Sequence, residues 1–179
     1  MTDSPLYPQA QANAADTHVV ENMPPILENY NIYTQDGILQ DCIKRGGAEW
    51  AMTELTNFGQ LWGSSERTNW GIEANRVSPV LNSHNQYGQR LDEINFHPAY
   101  HQLMKASIED GLVNSPWLHP KIGAHVKRAA GRYMNAQIEA GHGCPITMSF
   151  SAVPTLKKCP QIAKDWLPKL LSSNYDPRN

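Results

Sequence analysis

The chain has 179 residues, with 40% hydrophobic residues, 18% charged residues and a net charge of −2. That suits one packed domain with an appended arm, and it argues against a dedicated nucleic-acid module, which carries a basic excess. Cys42, Cys144 and Cys159 are an odd set without CxxC spacing, so neither a disulfide framework nor a zinc ribbon follows, and a reducing, cytoplasmic setting is expected. No apolar run approaches the roughly 18 residues that span a bilayer. The opening MTDSPLYPQAQ lacks the basic and apolar regions of a signal peptide, and no membrane partner is expected.

Residues 1–33 are rich in Pro, Asn, Gln and Ala and poor in periodic apolar positions. They read as an arm, mobile over 1–20 and extended over 21–33, where Pro24-Pro25 favours an open path. Ile26, Leu27, Tyr30, Ile32 and Tyr33 are placed to anchor it. A helical domain is expected over 34–179. Thr34 or Asp36 caps a first helix with Leu39, Cys42, Ile43 and Gly46 on one face. A second runs near 51–62 with a stripe of Ala51, Leu55, Phe58 and Trp62. Gly63-Ser64-Ser65 ends it and caps a third helix through Arg76, with Trp70, Ala74 and Val77 inward.

Residues 78–95 break the helical pattern and read as an irregular hairpin or long loop. Pro98 then suits a first helical turn. Ala99, Leu103, Met104 and Ile108 form the stripe of that helix, and Gly111 closes it. Residues 113–120 read as a loop. The longest helix is expected over Lys121–Ala140, with Ile122, Val126, Ala129, Tyr133, Ala136 and Ala140 as its apolar face. Lys121, His125, Arg128, Arg132, Asn135 and Glu139 form a polar ridge, and Gly141 or Gly143 supplies a left-handed stop. The segment 145–156 is nearly free of charge, which predicts burial on most sides. It alternates as a strand does, yet Ile146, Phe150 and Val153 also fit helix spacing, so the local pattern supports either. A last helix starts at Cys159-Pro160, carries Ile162, Ala163, Trp166 and Leu170 on one side, and is interrupted or kinked by Pro168.

Several residues invite chemistry. His97 and His101 stand four apart on one helix, a spacing that can serve a metal. Without an HExxH glutamate or a third ligand they read as a helix cap and a surface or aromatic-packed ring. Cys144 precedes a helix start, where a thiol pKa falls. Its apolar setting makes it an inert packing residue. Lys121, Lys127, Arg128 and Arg132 form a basic run that suits phosphate, but a solvated helix face is the simpler meaning. Gly141 and Gly143 form no phosphate loop, and no nucleophile-elbow motif accompanies the Ser, His and Asp residues.

Three blocks carry a resemblance: Asn31-Ile32-Tyr33 leading into Asp36-Gly37-Ile38-Leu39, Arg90 through His101, and Gln137 through Phe150. Together they resemble the N-terminal region of AidB-type flavoproteins, the adaptive-response branch of the acyl-CoA dehydrogenase superfamily, over about residues 21–176. The resemblance implies an all-α, acyl-CoA dehydrogenase N-terminal-domain-like helical bundle, and it resolves 145–156 as helix. It also implies that the complete protein holds FAD between a β-barrel and C-terminal helices and assembles as a homo-tetramer. The motif for flavin, the catalytic glutamate region and the DNA-binding basic surface of the family have no counterpart in these residues. No catalytic, cofactor-binding or metal residue is therefore carried over. Met148 and Phe150 are the candidates for lining a substrate pocket, by analogy with the family. The expected role is one wall of that pocket, with the chain inactive and without FAD when alone. The alternatives are a stand-alone helical interaction module, or a DNA-associated protein of the alkylation response.

Overall fold

The computed structural model describes residues 22–25 and 27–178. The expectations for 1–20 and Ile26 lie outside those residues. Asn31 organises the entry to the domain: its side-chain oxygen accepts from the backbone N–H of Tyr33 and Thr34, each at 3.1 Å, while its amide donates to the Thr56 carbonyl at 2.9 Å. Ile32 and Tyr33 are thereby driven into the core, 3% and 2% exposed. Asp36 caps α1 (Gly37–Arg45), its carboxylate accepting from Leu39 N–H at 2.8 Å. A 3-10 turn, Glu49–Ala51, leads into α2 (Met52–Trp62). Ser64 caps α3 (Ser65–Arg76). Gly63 is required at the α2–α3 corner, because a Cβ there would stand 1.8 Å from the Tyr30 carbonyl oxygen.

The excursion is an antiparallel ribbon of β1 (Val80–His84) and β2 (Arg90–Asn95), with an irregularity between Asn82 and His84. His97 caps α4 (Pro98–Glu109) through Nδ1, which accepts from Ala99 N–H. Gly111, at φ +75°, ends the turn that follows. Residues 113–120, expected as a loop, contain the short helix α5 (Ser115–Leu118). Beyond it come α6 (Ala124–Ala136), α7 (Gly143–Leu156) and α8 (Pro160–Leu170).

The core has two lobes. The larger gathers Ile32, Tyr33, Ile43, Leu55, Trp62, Leu103 and Met134, where α1, α2, α4 and α6 meet. The smaller joins Met104, Leu112, Val113 and Ile146 and ties α7 to α4. Each fully buried side chain of this size contributes roughly 1.5–3 kcal/mol.

Three readings of the sequence are corrected. First, α6 is shorter than expected. It begins after Gly123, at φ +79°, where a Cβ would meet the Gly47 carbonyl at 2.3 Å. It stops at Ala136, so α7, with 14 residues, is longer than α6, with 13. Second, α6 is rotated: Ala124, Ala130, Gly131, Met134 and Asn135 face inward, while Ile122 is 84% and Tyr133 52% exposed. Third, neither Gly141 nor Gly143 is left-handed. Gly143 opens α7, and a Cβ on it would collide with the Arg132 guanidinium.

Candidate functional site

The corner between α6 and α7 is built on Glu139, which the sequence pattern placed on a polar ridge. Its carboxylate is 7% exposed and accepts from Gly141 N–H at 2.6 Å, His142 N–H at 2.8 Å and His142 Nδ1 at 2.7 Å. His142 has no exposed surface and stacks parallel to Trp62, ring centroids 6.0 Å apart. Its Nε2 lies 2.9 Å from Ser107 Oγ and 3.2 Å from Asn135 Nδ2. Arg132 donates to Asn135 Oδ1, which fixes that amide with its N–H₂ towards Ser107 and His142. Nε2 must then be the acceptor and Nδ1–H the donor, so the ring is neutral.

The electrostatics agree with that assignment. Burial pushes the His142 pKa below its ordinary value, and this outweighs the opposing pull of the Glu139 carboxylate. Burial alone would raise the Glu139 carboxyl, but the N–H groups of His142 and Gly141 hold it below the usual range. Ser107, His142 and Glu139 have the linear order of a nucleophile triad. Ser107 and His142 are both completely buried, and Asn135 blocks the free side of Nε2, so no substrate carbonyl reaches the serine. The cluster is a polar keystone under α7. Its residues went unrecognised because helical periodicity cannot distinguish a solvated polar row from one satisfied internally. The signal that was available is Glu139 followed three positions on by His142, across a glycine.

α7 itself is amphipathic in an unexpected way. Ile146 and Val153 are buried, but Met148 is 59% exposed. Together with Ala152 and Leu156 it forms an open apolar groove of about 660 Å³ against Ile162, Trp166 and Leu170 of α8. Ile162 and Trp166 are 48% and 56% exposed, and no residue of α8 is buried. The expected burial of 145–156 on most sides is therefore corrected: Cys144, Met148, Ser151, Pro154 and Thr155 of α7 are exposed, and only Gly143, Ile146 and Val153 are buried. Phe150 does not share the groove with Met148. Two residues further round the helix, it packs against Trp117 and His125, under the Arg128 guanidinium at 3.7 Å, while Trp117 Nε1 donates to the Phe150 carbonyl at 3.1 Å.

The other candidate residues are also placed. His101 Nδ1 lies 2.6 Å from Tyr175 OH and meets Phe96 edge-on, so it and the capping His97 do not share a ligand. Among the described residues no cluster of three metal-ligating side chains occurs. Cys144 is exposed rather than packed, as is Cys42. The basic run is engaged internally. Lys121 sits 3.2 Å above the Trp50 ring, and Lys127 pairs with Glu54. Arg128 donates to the Leu112 carbonyl at 2.8 Å, and Arg132 serves the α6–α7 corner. A flavin pyrophosphate needs uncommitted cations or bare helix N–H groups. Lys127, Arg128 and Arg132 of α6 each hold an internal partner, although Arg128 Nη2 is buried without one, and Gly143 and Cys144 N–H donate to the Ala140 and Gly141 carbonyls.

A family model described as the adaptive response protein AidB N-terminal domain matches residues 22–177. The chain belongs to this family. It is 42% identical over 162 residues to a protein of Escherichia coli (strain K12) named putative acyl-CoA dehydrogenase AidB, covering 89% of this chain and 30% of that protein. Among solved structures it resembles Caenorhabditis elegans ACDH-11, determined in complex with C11-CoA. That match has a TM-score of 0.78 and 21% identity, and covers 96% of this chain and 30% of the other. It also resembles the apo form of Bd2924, with a TM-score of 0.74 and 24% identity, covering 82% and 30%. At those identities the structural matches establish the fold, the helical N-terminal domain. The chain spans 30% of the length of each of these relatives.

Proposed function

We propose that this AidB-type domain serves as one wall of an FAD-dependent, acyl-CoA dehydrogenase-like protein, with the flavin and the catalytic groups in polypeptide outside these residues. FAD, when bound there, supplies hydride acceptance from an acyl substrate. This chain contributes shape and packing rather than a reacting group. Met148 is its pocket-facing residue, whereas Phe150 supports α7 from behind.

The observation that carries the reading is the open apolar side of α7 and α8. Met148, Ile162 and Trp166 stand in a row that a self-sufficient domain would bury. The Glu139–His142 corner holds α7 rigidly while leaving that side uncovered. In this reading the partner is the remaining barrel and C-terminal helices of the protein, within a homo-tetramer in the cytoplasm. DNA contact belongs to regions elsewhere, because Lys121, Lys127 and Arg128 are engaged by Trp50, Glu54 and the Leu112 carbonyl.

Visible absorption of the purified 179-residue chain after incubation with FAD and desalting tests the assignment. No flavin band is expected. Stoichiometric retention of FAD would overturn it and place the cofactor site on these helices.

A further inference from the structure

We propose that the trough between α5 and α8, on the flank of α8 away from the Met148 groove, docks an acidic amphipathic helix of a partner protein. The trough has a volume of about 690 Å³ and is floored by Leu118, Ala163, Leu167 and Leu171, with Lys157 and Lys164 in its lining. Ala163, Leu167 and the C-cap Leu171 recur every four residues, so they form one ridge along α8 and its end, and the trough follows it for about two helical turns. Leu118, 45% exposed, borders the trough from α5. The trough is open to solvent along its length. That shape accepts a rod laid into it, as helix-in-groove recognition requires, and does not enclose a small ligand.

Charge selects the rod. No Asp or Glu lines the trough. Lys157 rests 5.5 Å from the Trp117 ring centroid, and among the described residues neither Lys157 nor Lys164 forms an ion pair with a carboxylate. An apolar floor beside two unpaired cations favours a helix whose leucine stripe is flanked by Glu or Asp, and it repels a basic one. This surface is independent of the Met148 groove, so its failure would leave the flavoprotein reading untouched.

The test is fluorescence anisotropy of a labelled synthetic peptide of leucine and glutamate, patterned as a one-stripe helix of about four turns, titrated with the 179-residue chain. Its leucine and lysine counterpart is measured in parallel. Saturable binding of the glutamate peptide, roughly five- to tenfold tighter than that of the lysine peptide, is expected. The K157E/K164E pair should reverse the preference. Both lysines are exposed and the α8 helix buries no residue, so that pair keeps the fold, and an unchanged circular dichroism spectrum checks it. Equal affinity for the two peptides would overturn the proposal, as would a preference that the lysine reversals leave unchanged. So would binding of the chain to phosphatidylglycerol vesicles, or to itself, through Leu167 without peptide binding.

Discussion

Removing the Glu139 carboxylate should be among the most damaging single changes in this domain. In Glu139→Ala the His142 backbone N–H and its Nδ1–H lose their acceptor in a site without solvent, and Gly141 N–H loses its own at a partly buried position. An unsatisfied buried donor costs about 1–3 kcal/mol, so the two buried donors together cost roughly 2–6 kcal/mol. Domains of this size are stable by about 5–15 kcal/mol, so the loss is a large share of the whole. Urea unfolding at pH 7.5, followed by circular dichroism, reads it as a lower midpoint at unchanged slope. A double-mutant cycle with His142→Gln should be strongly non-additive, because the two side chains share one network. A loss below about 0.5 kcal/mol, the range of ordinary surface substitutions, would refute the view that this corner is a buried keystone.

Other consequences follow from the same geometry. His142 has a folded pKa below its ordinary 6.5 because it is buried. The unfolded chain therefore takes up that proton first. Its stabilising contribution is complete above pH 6.5 and shrinks as pH falls below that value, by at most about 1.4 kcal/mol per pH unit. Glu139, depressed below 4.5, adds a further loss as pH falls through its lower folded value. In His142→Gln the decline just below pH 6.5 should flatten, and an unchanged slope in urea titrations would contradict the assignment of that proton. Gly63→Ala should lose about 1–3 kcal/mol or more by overpacking, since the Tyr30 carbonyl stands where the Cβ must go. A thermal midpoint equal to that of the parent chain would count against the close approach of Gly63 to the Tyr30 carbonyl at the α2–α3 corner. The exposed Cys42 and Cys144 should react rapidly with a disulfide reagent in the native state. Protection of Cys144 until unfolding would restore the packed cysteine expected from sequence.

The helices were legible where a single physical signal dominated. Asp36, Ser64 and His97 act as caps at the positions where sequence placed them. The stripe Ala51, Leu55, Phe58 and Trp62 faces the core as expected, and Gly111 closes its helix. Legibility failed where tertiary satisfaction replaced solvation. Asn135 and Glu139 look like the polar side of a long helix, yet they are buried, because Arg132, Ser107 and His142 complete their hydrogen bonds. Ile122 looks like the start of the apolar face, but the αL residue Gly123 begins the helix after it, and Trp50 Nε1 donates to its carbonyl at 3.0 Å instead. The segment 145–156 is ambiguous by local pattern, and family resemblance resolves it as helix. Its apolar composition did not reveal that one side stays open, since burial by the domain itself and burial by further polypeptide leave the same trace in a sequence.

The claim on which the functional reading rests is that the Met148–Ile162–Trp166 side is made to be covered. Sedimentation equilibrium of the 179-residue chain over a range of concentrations tests it most directly. Association that grows with concentration, and that the exposed-site pair I162E/W166E weakens without changing the circular dichroism spectrum, is the predicted result. A parent chain that stays monomeric and fully soluble at high concentration would contradict it.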